Sequence, residues 1–124
     1  MTGCGSSSAS AGQSNAPSGT ITAKLSEYAI AATPGKAVAG PVTFKVTNAG
    51  QQKHEFVVIR TPKQAGALAS GPEASETGKV GEVADMAPGA SKTLKLKLKP
   101  GHYAMICNLP GHYTGGMHSD LTVQ

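Results

Sequence analysis

The sequence predicts an all-β protein, a β-sandwich of seven to eight strands. Three observations favour this class: short runs of alternating or β-branched residues, Pro-Gly and Asn-Gly-type breaks between the runs, and almost no helical periodicity. The length of 124 residues corresponds to one domain. A single hydrophobic core of ordinary size therefore suffices to stabilise it.

The N-terminal stretch differs in composition from the rest of the chain. Residues 1–19 contain no charged side chain and consist almost entirely of Gly, Ser, Ala, Thr, Gln, Asn and Pro. Such a segment cannot bury an apolar face, so we predict a flexible linker at 1–19 and a folded domain at 20–124. The opening Met1-Thr2-Gly3-Cys4 resembles the end of a bacterial lipoprotein signal with its acylation site. We therefore expect a lipid on Cys4; the alternative is an incidental cysteine.

The first strands follow from alternation and its interruptions. The run from Thr20 to Ile30 alternates and then changes phase, which predicts one strand with a bulge near Ser26-Glu27. Thr33-Pro34-Gly35-Lys36 is typical of a turn. The run from Val42 to Asn48 alternates apolar and polar side chains, as a strand with one buried face does.

The middle of the chain contains a fully apolar strand and a long connection. His54 to Arg60 includes Phe-Val-Val-Ile and is too apolar to have a wet face, so a central strand is predicted. Residues 61–78 contain several Gly and Pro residues and are expected to form a long loop with one short helical turn. Lys79 to Ala84 predicts a short strand, and Pro88-Gly89 a turn.

The C-terminal third contains the clearest alternation. From Ser91 to Lys99, leucines alternate with lysines, so the leucines are expected inward and the lysines outward. Pro100-Gly101 turns the chain into a strand from His102 to Cys107. A last strand is predicted from His118 to Val123. The lysine row most simply forms a solvated face that discourages edge pairing.

Three potential metal ligands follow the strand that ends at Cys107. Cys107, His112 and Met117 are spaced C-x4-H-x4-M, and His54 lies 53 residues upstream of Cys107. Two imidazoles, one thiolate and a weak thioether are the ligand set of a blue-copper electron-transfer site. A short loop between two strands can curl three of these ligands around one ion, and the fourth comes from a neighbouring strand.

The candidate ligands could instead have a role in packing rather than in metal binding. An isolated Cys107 could be a packed core thiol, Met117 a core filler, and His54 a histidine at a strand edge. A disulfide between Cys4 and Cys107 would tie the linker to a strand end and consume the strongest ligand, so it is disfavoured.

Two further histidines compete with His112 for the ligand role. The motif Pro-Gly-His-Tyr occurs twice, and the first copy contains His102. Because Tyr103, Met105 and Cys107 share one strand face, His102 is expected to point outward. His118 begins the last strand and is expected to face solvent.

On these residues the chain resembles the cupredoxins, the type 1 blue copper proteins. The resemblance rests on His54, Cys107, His112 and Met117 with the lead-in from Pro100 to Cys107, and it spans residues 20–124. In ligand-loop spacing it is most similar to the branch that contains rusticyanin and sulfocyanin. The resemblance implies a Greek-key sandwich, one type 1 copper and one-electron transfer.

The resemblance also implies how the site meets its surroundings. His112 would be the ligand nearest the surface and the exit for the electron. A mostly apolar collar would surround it, formed by Leu109, Pro110, Gly111, Tyr113, Gly115 and Gly116. Glu55 stands where many cupredoxins have Asn or Ser after the upstream histidine. Its carboxylate is expected to make comparable loop-tying hydrogen bonds and to place negative charge near the copper.

The expected function is a one-electron carrier, held by a lipid outside the cytoplasmic membrane. Redox proteins (a cytochrome, an oxidase or another copper protein) would dock near His112, and the protein is expected to be a monomer without a nucleic-acid partner. The alternative to a merely solvated face for the lysine row, given the net charge of +4, is that it attracts an acidic partner. An enzyme is not expected, because the chain lacks the additional histidine pairs of a second or trinuclear copper. The alternative is a copper-binding module for copper delivery or sensing.

Overall fold

The computed structural model describes residues 16–124, which form eleven strands and one short 3-10 turn. Cys4 and residues 1–15 of the expected linker lie outside the described residues. The strands are β1 (Thr20–Ser26), β2 (Ala29–Thr33), β3 (Lys36–Ala37), β4 (Gly40–Asn48), β5 (His54–Arg60), β6 (Ala69–Ser70), β7 (Glu73–Ala74), β8 (Lys79–Met86), β9 (Ser91–Leu98), β10 (Gly101–Ile106) and β11 (His118–Val123). Within residues 16–124, no helix has the length and apolarity needed to cross a membrane.

Two sheets pack face to face. The first has the strand order β2-β1-β4-β9 and the second the order β3-β11-β10-β5-β8, while β6 and β7 form a separate hairpin. The chain changes sheets between β2 and β3, β3 and β4, β4 and β5, β8 and β9, and β9 and β10. The predicted all-β sandwich with Greek-key connections is confirmed. Eight strands have five or more residues, and the other three, β3, β6 and β7, have two each.

The core lies between the two sheets. Phe44 of the first sheet and Phe56 of the second are both fully buried, and their ring centroids are 5.5 Å apart. The predicted alternation in β4 is confirmed, because its apolar positions are buried while Lys45 is exposed. Burial of a large side chain contributes about 1.5–3 kcal/mol, so these alternating strands account for the sandwich.

A second apolar cluster covers the outer face of β5 and β10. Val57 and Ile59 of β5 pack there against Ala65 and Leu68, which come from the long connection after β5. This explains why β5 has no polar face, as its sequence predicts. The connection contains the expected helical turn at Ala65–Ala67, and it also contains the β6–β7 hairpin, which was not predicted.

One prediction for the N-terminal strand is wrong. The segment from Thr20 to Ile30 is not a single bulged strand, because β1 and β2 form an antiparallel hairpin in which Ser26 pairs with Ala29. The change of phase is therefore a chain reversal at Glu27-Tyr28. A tight reversal exposes its tip, and Tyr28 is 43% exposed.

The strand pairing gathers three connections between strands at one end of the sandwich. Ile106 at the end of β10 pairs with Val57 in the middle of β5 and with His118 at the start of β11. In the first sheet, β1 runs parallel to β4, with Leu25 beside Asn48. The β1–β2 turn, the β4–β5 loop and the β10–β11 loop therefore lie at this end.

Candidate metal centre

The structure brings three of the four predicted ligands together at this end. The ligand atoms of His54, Cys107 and His112 all lie within 4.8 Å of one another. The two Nδ1 atoms are 3.1 Å apart, and the Cys107 Sγ lies 3.9 Å from Nδ1 of His54 and 3.5 Å from Nδ1 of His112. His54 and Cys107 are fully buried, whereas His112 is 9% exposed.

Met117 closes the same loop just before β11. It is fully buried in the main core cluster, to which Cys107 also belongs. Its backbone carbonyl accepts a hydrogen bond from the Cys107 N–H at 3.1 Å, and its own N–H donates to the His112 carbonyl at 3.1 Å. The ligand loop is therefore folded back on itself by backbone hydrogen bonds.

The cluster fits a copper ion in both chemistry and spacing. Imidazole and thiolate ligands at the bond lengths of about 2.0–2.1 Å and about 2.3 Å known for zinc would be separated by roughly 3.4–3.8 Å around one ion. The observed separations of 3.1, 3.5 and 3.9 Å lie around these values. Thiolate and thioether sulfur are soft ligands, and together with two imidazoles they are the ligand set of type 1 copper.

The protonation of the ligands reflects their burial. Burial raises the pKa of the Cys107 thiol, although the backbone N–H groups of Glu55 and Leu109 oppose this shift by donating to the sulfur. Burial lowers the pKa of His112, and the neighbouring His54 lowers it further. His112 is thus neutral and ready to act as a ligand near neutral pH, while a bound metal must displace the thiol proton.

Glu55 ties the two ligand-bearing segments together, as the sequence predicts. Its backbone N–H points at the Cys107 sulfur with an N···S distance of 3.4 Å, and its Oε2 accepts from the Asn108 N–H at 3.1 Å. Burial raises the pKa of this carboxyl, and the Asn108 N–H partly offsets the effect.

Besides Glu55, a second carboxylate lies at the site, and the sequence analysis did not predict it. Unlike the Glu55 carboxylate, it contacts a ligand imidazole directly. Oε2 of Glu27, in the β1–β2 turn, lies 2.6 Å from Nε2 of His54. The backbone N–H of Gln51 is the main cause of a lowered pKa for Glu27. Glu27 and His54 are 27 positions apart, and no spacing motif connects them. The one signal in the sequence that could have pointed to Glu27 is that it is the only acidic residue before Glu55.

Asn48 was also missed, and it supports the loop that leads into His54. It is fully buried; its side-chain amide donates to the carbonyls of Gln52 and Met86, and its Oδ1 accepts from the Gly50 N–H. Such satisfied polar groups hold a buried loop in one conformation.

One member of the predicted collar does not lie on the surface. Tyr113 is only 3% exposed, and its hydroxyl donates to the Ala65 carbonyl at 2.6 Å. The collar therefore consists of the remaining predicted residues, of which Pro110 and Gly111 are exposed and Leu109 is half-buried. The exposed ring of Tyr28, which the sequence did not predict there, packs edge-on against His112 with centroids 5.4 Å apart.

The two competing histidines lie outside the ligand cluster. The imidazole of His102 is hydrogen-bonded to the Thr61 carbonyl at 2.7 Å and to Asp120 at 2.8 Å. His118 packs against the ring of Tyr113. Among residues 16–124, Cys107 is the one cysteine, and its thiol is free.

An all-β sandwich that gathers two histidines, a cysteine and a methionine at one end defines the cupredoxin class, and His54, Cys107, His112 and Met117 form its type 1 copper site. Residues 35–124 match the family of copper binding proteins described as the plastocyanin/azurin family. The chain belongs to this family. No curated protein sequence matches it.

Solved structures of blue copper proteins have the same fold. The dithionite-reduced auracyanin of the photosynthetic bacterium Roseiflexus castenholzii is 25% identical with a TM-score of 0.66, over 87% of this chain and 98% of that one. Auracyanin A of Chloroflexus aurantiacus, a "blue" copper protein, is 21% identical with a TM-score of 0.58, over 85% and 99%. Rusticyanin of Thiobacillus ferrooxidans is 18% identical with a TM-score of 0.56, over 86% and 79%. At their lower identities, the last two show the fold alone.

Proposed function

We propose that this protein is a one-electron carrier between redox partners. The observation that carries the proposal is the buried cluster of His54, Cys107 and His112, whose ligand atoms already lie within 4.8 Å of one another. Copper bound there would take up and release one electron by cycling between Cu(II) and Cu(I). Members of this class are typically electron carriers rather than enzymes, and no enzymatic role is proposed.

The protein's part is to hold the ligands in one arrangement. His54 begins β5 and Cys107 directly follows β10, and these two strands pair with each other. Glu55 and the backbone of Met117 fix the loop that carries His112. Rigid ligands favour electron transfer because the site then rearranges little when the copper changes its oxidation state.

His112 provides the route to a partner. It is the only one of the four ligands with measurable exposure, 9% against 0% for the others. The collar of Leu109, Pro110 and Gly111 surrounds it, and the exposed ring of Tyr28 extends the apolar surface. An apolar patch with few charges suits brief docking of a redox protein, in which the complex must dissociate quickly.

We place this carrier outside the cytoplasmic membrane, held by a lipid on Cys4. The support is the sequence Met1-Thr2-Gly3-Cys4, followed by an uncharged segment rich in Gly and Ser. We expect mass spectrometry of the native protein to show the mass of an acylated Cys4. An unmodified N-terminal peptide would rule out the anchor without affecting the copper site.

The electron-carrier function predicts two properties of the copper-loaded protein. The oxidised form should have an intense visible absorption band from charge transfer between the Cys107 sulfur and Cu(II), and voltammetry should give a reversible one-electron couple. Copper that binds only as Cu(I), or with no strong visible band, would instead favour the alternative of copper delivery or sensing.

The docking surface is tested by electron self-exchange between oxidised and reduced copies. Pro110→Glu places a carboxylate on the collar of both copies, and two such charges about 4 Å apart in water repel by about 1 kcal/mol, which slows exchange about fivefold at low salt. Thr122→Glu, at an exposed position at the far end of β11, is the matched control and should leave the rate unchanged. Equal rates for the two variants would contradict docking at the collar.

A further inference from the structure

Glu27 is held against the buried histidine ligand by a preformed set of hydrogen bonds. Its carboxylate accepts from the backbone N–H of Gln51 at 2.8 and 3.0 Å and from that of Gln52 at 3.1 Å. The same Oε2 lies 2.6 Å from Nε2 of His54. A Cβ atom at Gly50 would overlap this carboxylate, so the glycine makes room for it. The β4–β5 loop is thus shaped around the Glu27 side chain.

This contact determines which nitrogen of His54 is available to a metal. An ionised carboxylate only accepts hydrogen bonds, so Nε2 must carry the imidazole proton. In the neutral imidazole, which is the form that binds a metal, Nδ1 then has the lone pair, and it faces Nδ1 of His112 at 3.1 Å and the Cys107 sulfur at 3.9 Å. In metal sites, a carboxylate on the far nitrogen of a ligand histidine fixes the tautomer and ring orientation and increases the basicity of the ligand.

The two histidine ligands differ in this respect. His54 is fully buried and has a carboxylate on its far nitrogen, whereas the hydrogen-bond contacts of the His112 ring involve Nδ1. The His112 ring instead packs edge-on against Tyr28. One turn therefore serves both ligands, since Glu27 holds the inner histidine and Tyr28 shields the outer one.

We propose that Glu27 is a positioning residue of the copper site, which holds His54 with Nδ1 toward the metal and whose negative charge favours Cu(II) over Cu(I). The proposal rests on copper binding at this site and is independent of the electron-carrier function. Glu55 does not position a ligand imidazole in this way, because its carboxylate contacts the backbone of Asn108.

The charge is tested with Glu27→Gln, which keeps the side-chain length and an acceptor oxygen. Losing such a partner typically weakens metal affinity about 10- to 100-fold. The lost negative charge stabilises Cu(II) more than Cu(I), so the affinity for Cu(II) should fall more than the affinity for Cu(I), and the reduction potential should rise. The rise is about 59 mV for each factor of ten by which the loss of Cu(II) affinity exceeds the loss of Cu(I) affinity. Titrations with Cu(I) and Cu(II) and voltammetry measure these quantities.

Glu73→Gln is the matched control, since it removes the same charge from an exposed position in β7. We expect this variant to retain the affinities and the potential of the unmodified protein. If Glu27→Gln behaves like Glu73→Gln in both measurements, the proposal is wrong.

The hydrogen bond is tested separately by NMR of the zinc-loaded protein, which requires no redox activity. The His54 ring should show a slowly exchanging Nε2 proton in the unmodified protein, and this signal should be lost in Glu27→Ala. Absence of the protected proton in the unmodified protein would overturn the assignment of the tautomer. Failure of the reversible copper couple would contradict the electron-carrier function but would leave this signal in place.

Discussion

Replacing Cys107 by serine should abolish the intense visible absorption of the copper-loaded protein and leave the fold intact. The band requires a thiolate bonded to Cu(II), and a serine hydroxyl is neither soft nor ionised at neutral pH. The fold should persist because serine is slightly smaller than cysteine and its oxygen can accept from the Glu55 N–H that now points at the sulfur. Absorption spectra during Cu(II) titration measure the first effect, and far-ultraviolet circular dichroism the second.

Cys4→Ser is the matched control for this experiment. The protein has two cysteines, and Cys107 is the one within the ligand cluster. We therefore expect Cys4→Ser to keep the full visible band and the reversible couple. A band that survives in Cys107→Ser, or disappears in Cys4→Ser, would refute the assignment of Cys107 as the thiolate ligand.

Replacing Tyr113 by phenylalanine should lower the free energy of unfolding by about 2–6 kcal/mol. The Tyr113 hydroxyl donates to the Ala65 carbonyl and accepts from the Leu68 N–H at 2.8 Å, and both contacts are buried. Each buried backbone group left without a partner costs about 1–3 kcal/mol. This is a large share of the roughly 5–15 kcal/mol that stabilises a typical domain. Chemical denaturation of the metal-free protein measures the change.

Two other tyrosines provide controls with the same chemical change. The Tyr103 hydroxyl donates only to the Lys99 carbonyl, so Tyr103→Phe should cost about 1 kcal/mol. Tyr28 is largely exposed, and Tyr28→Phe should change stability by less than about 0.5 kcal/mol. If all three variants lost equal stability, the hydroxyl of Tyr113 would not be what anchors the ligand loop to the connection after β5.

The strands and the ligand loop could be predicted because their signals are local. Alternation in Ser91–Leu98 is the pattern of a strand with one buried face, and the apolar run in His54–Arg60 is that of a strand with two. Both strands are present as expected. The phase of the strand before Cys107 correctly separated His102 from the ligand cluster. By contrast, the change of phase after Ser26 was interpreted as a bulge, because a bulge and a tight hairpin interrupt alternation in the same way.

The sequence by itself determined the class of fold, the ligand set and the loop that carries three of the ligands, because these depend on residues close together in the chain or on a recognisable motif. Only the tertiary structure decided which distant residues support the ligands. Parallel pairing of β1 with β4 brings Glu27 to His54, and packing of the long connection over β5 buries Tyr113. Such contacts depend on strand order and register, which follow from the packing of the whole core rather than from any local pattern.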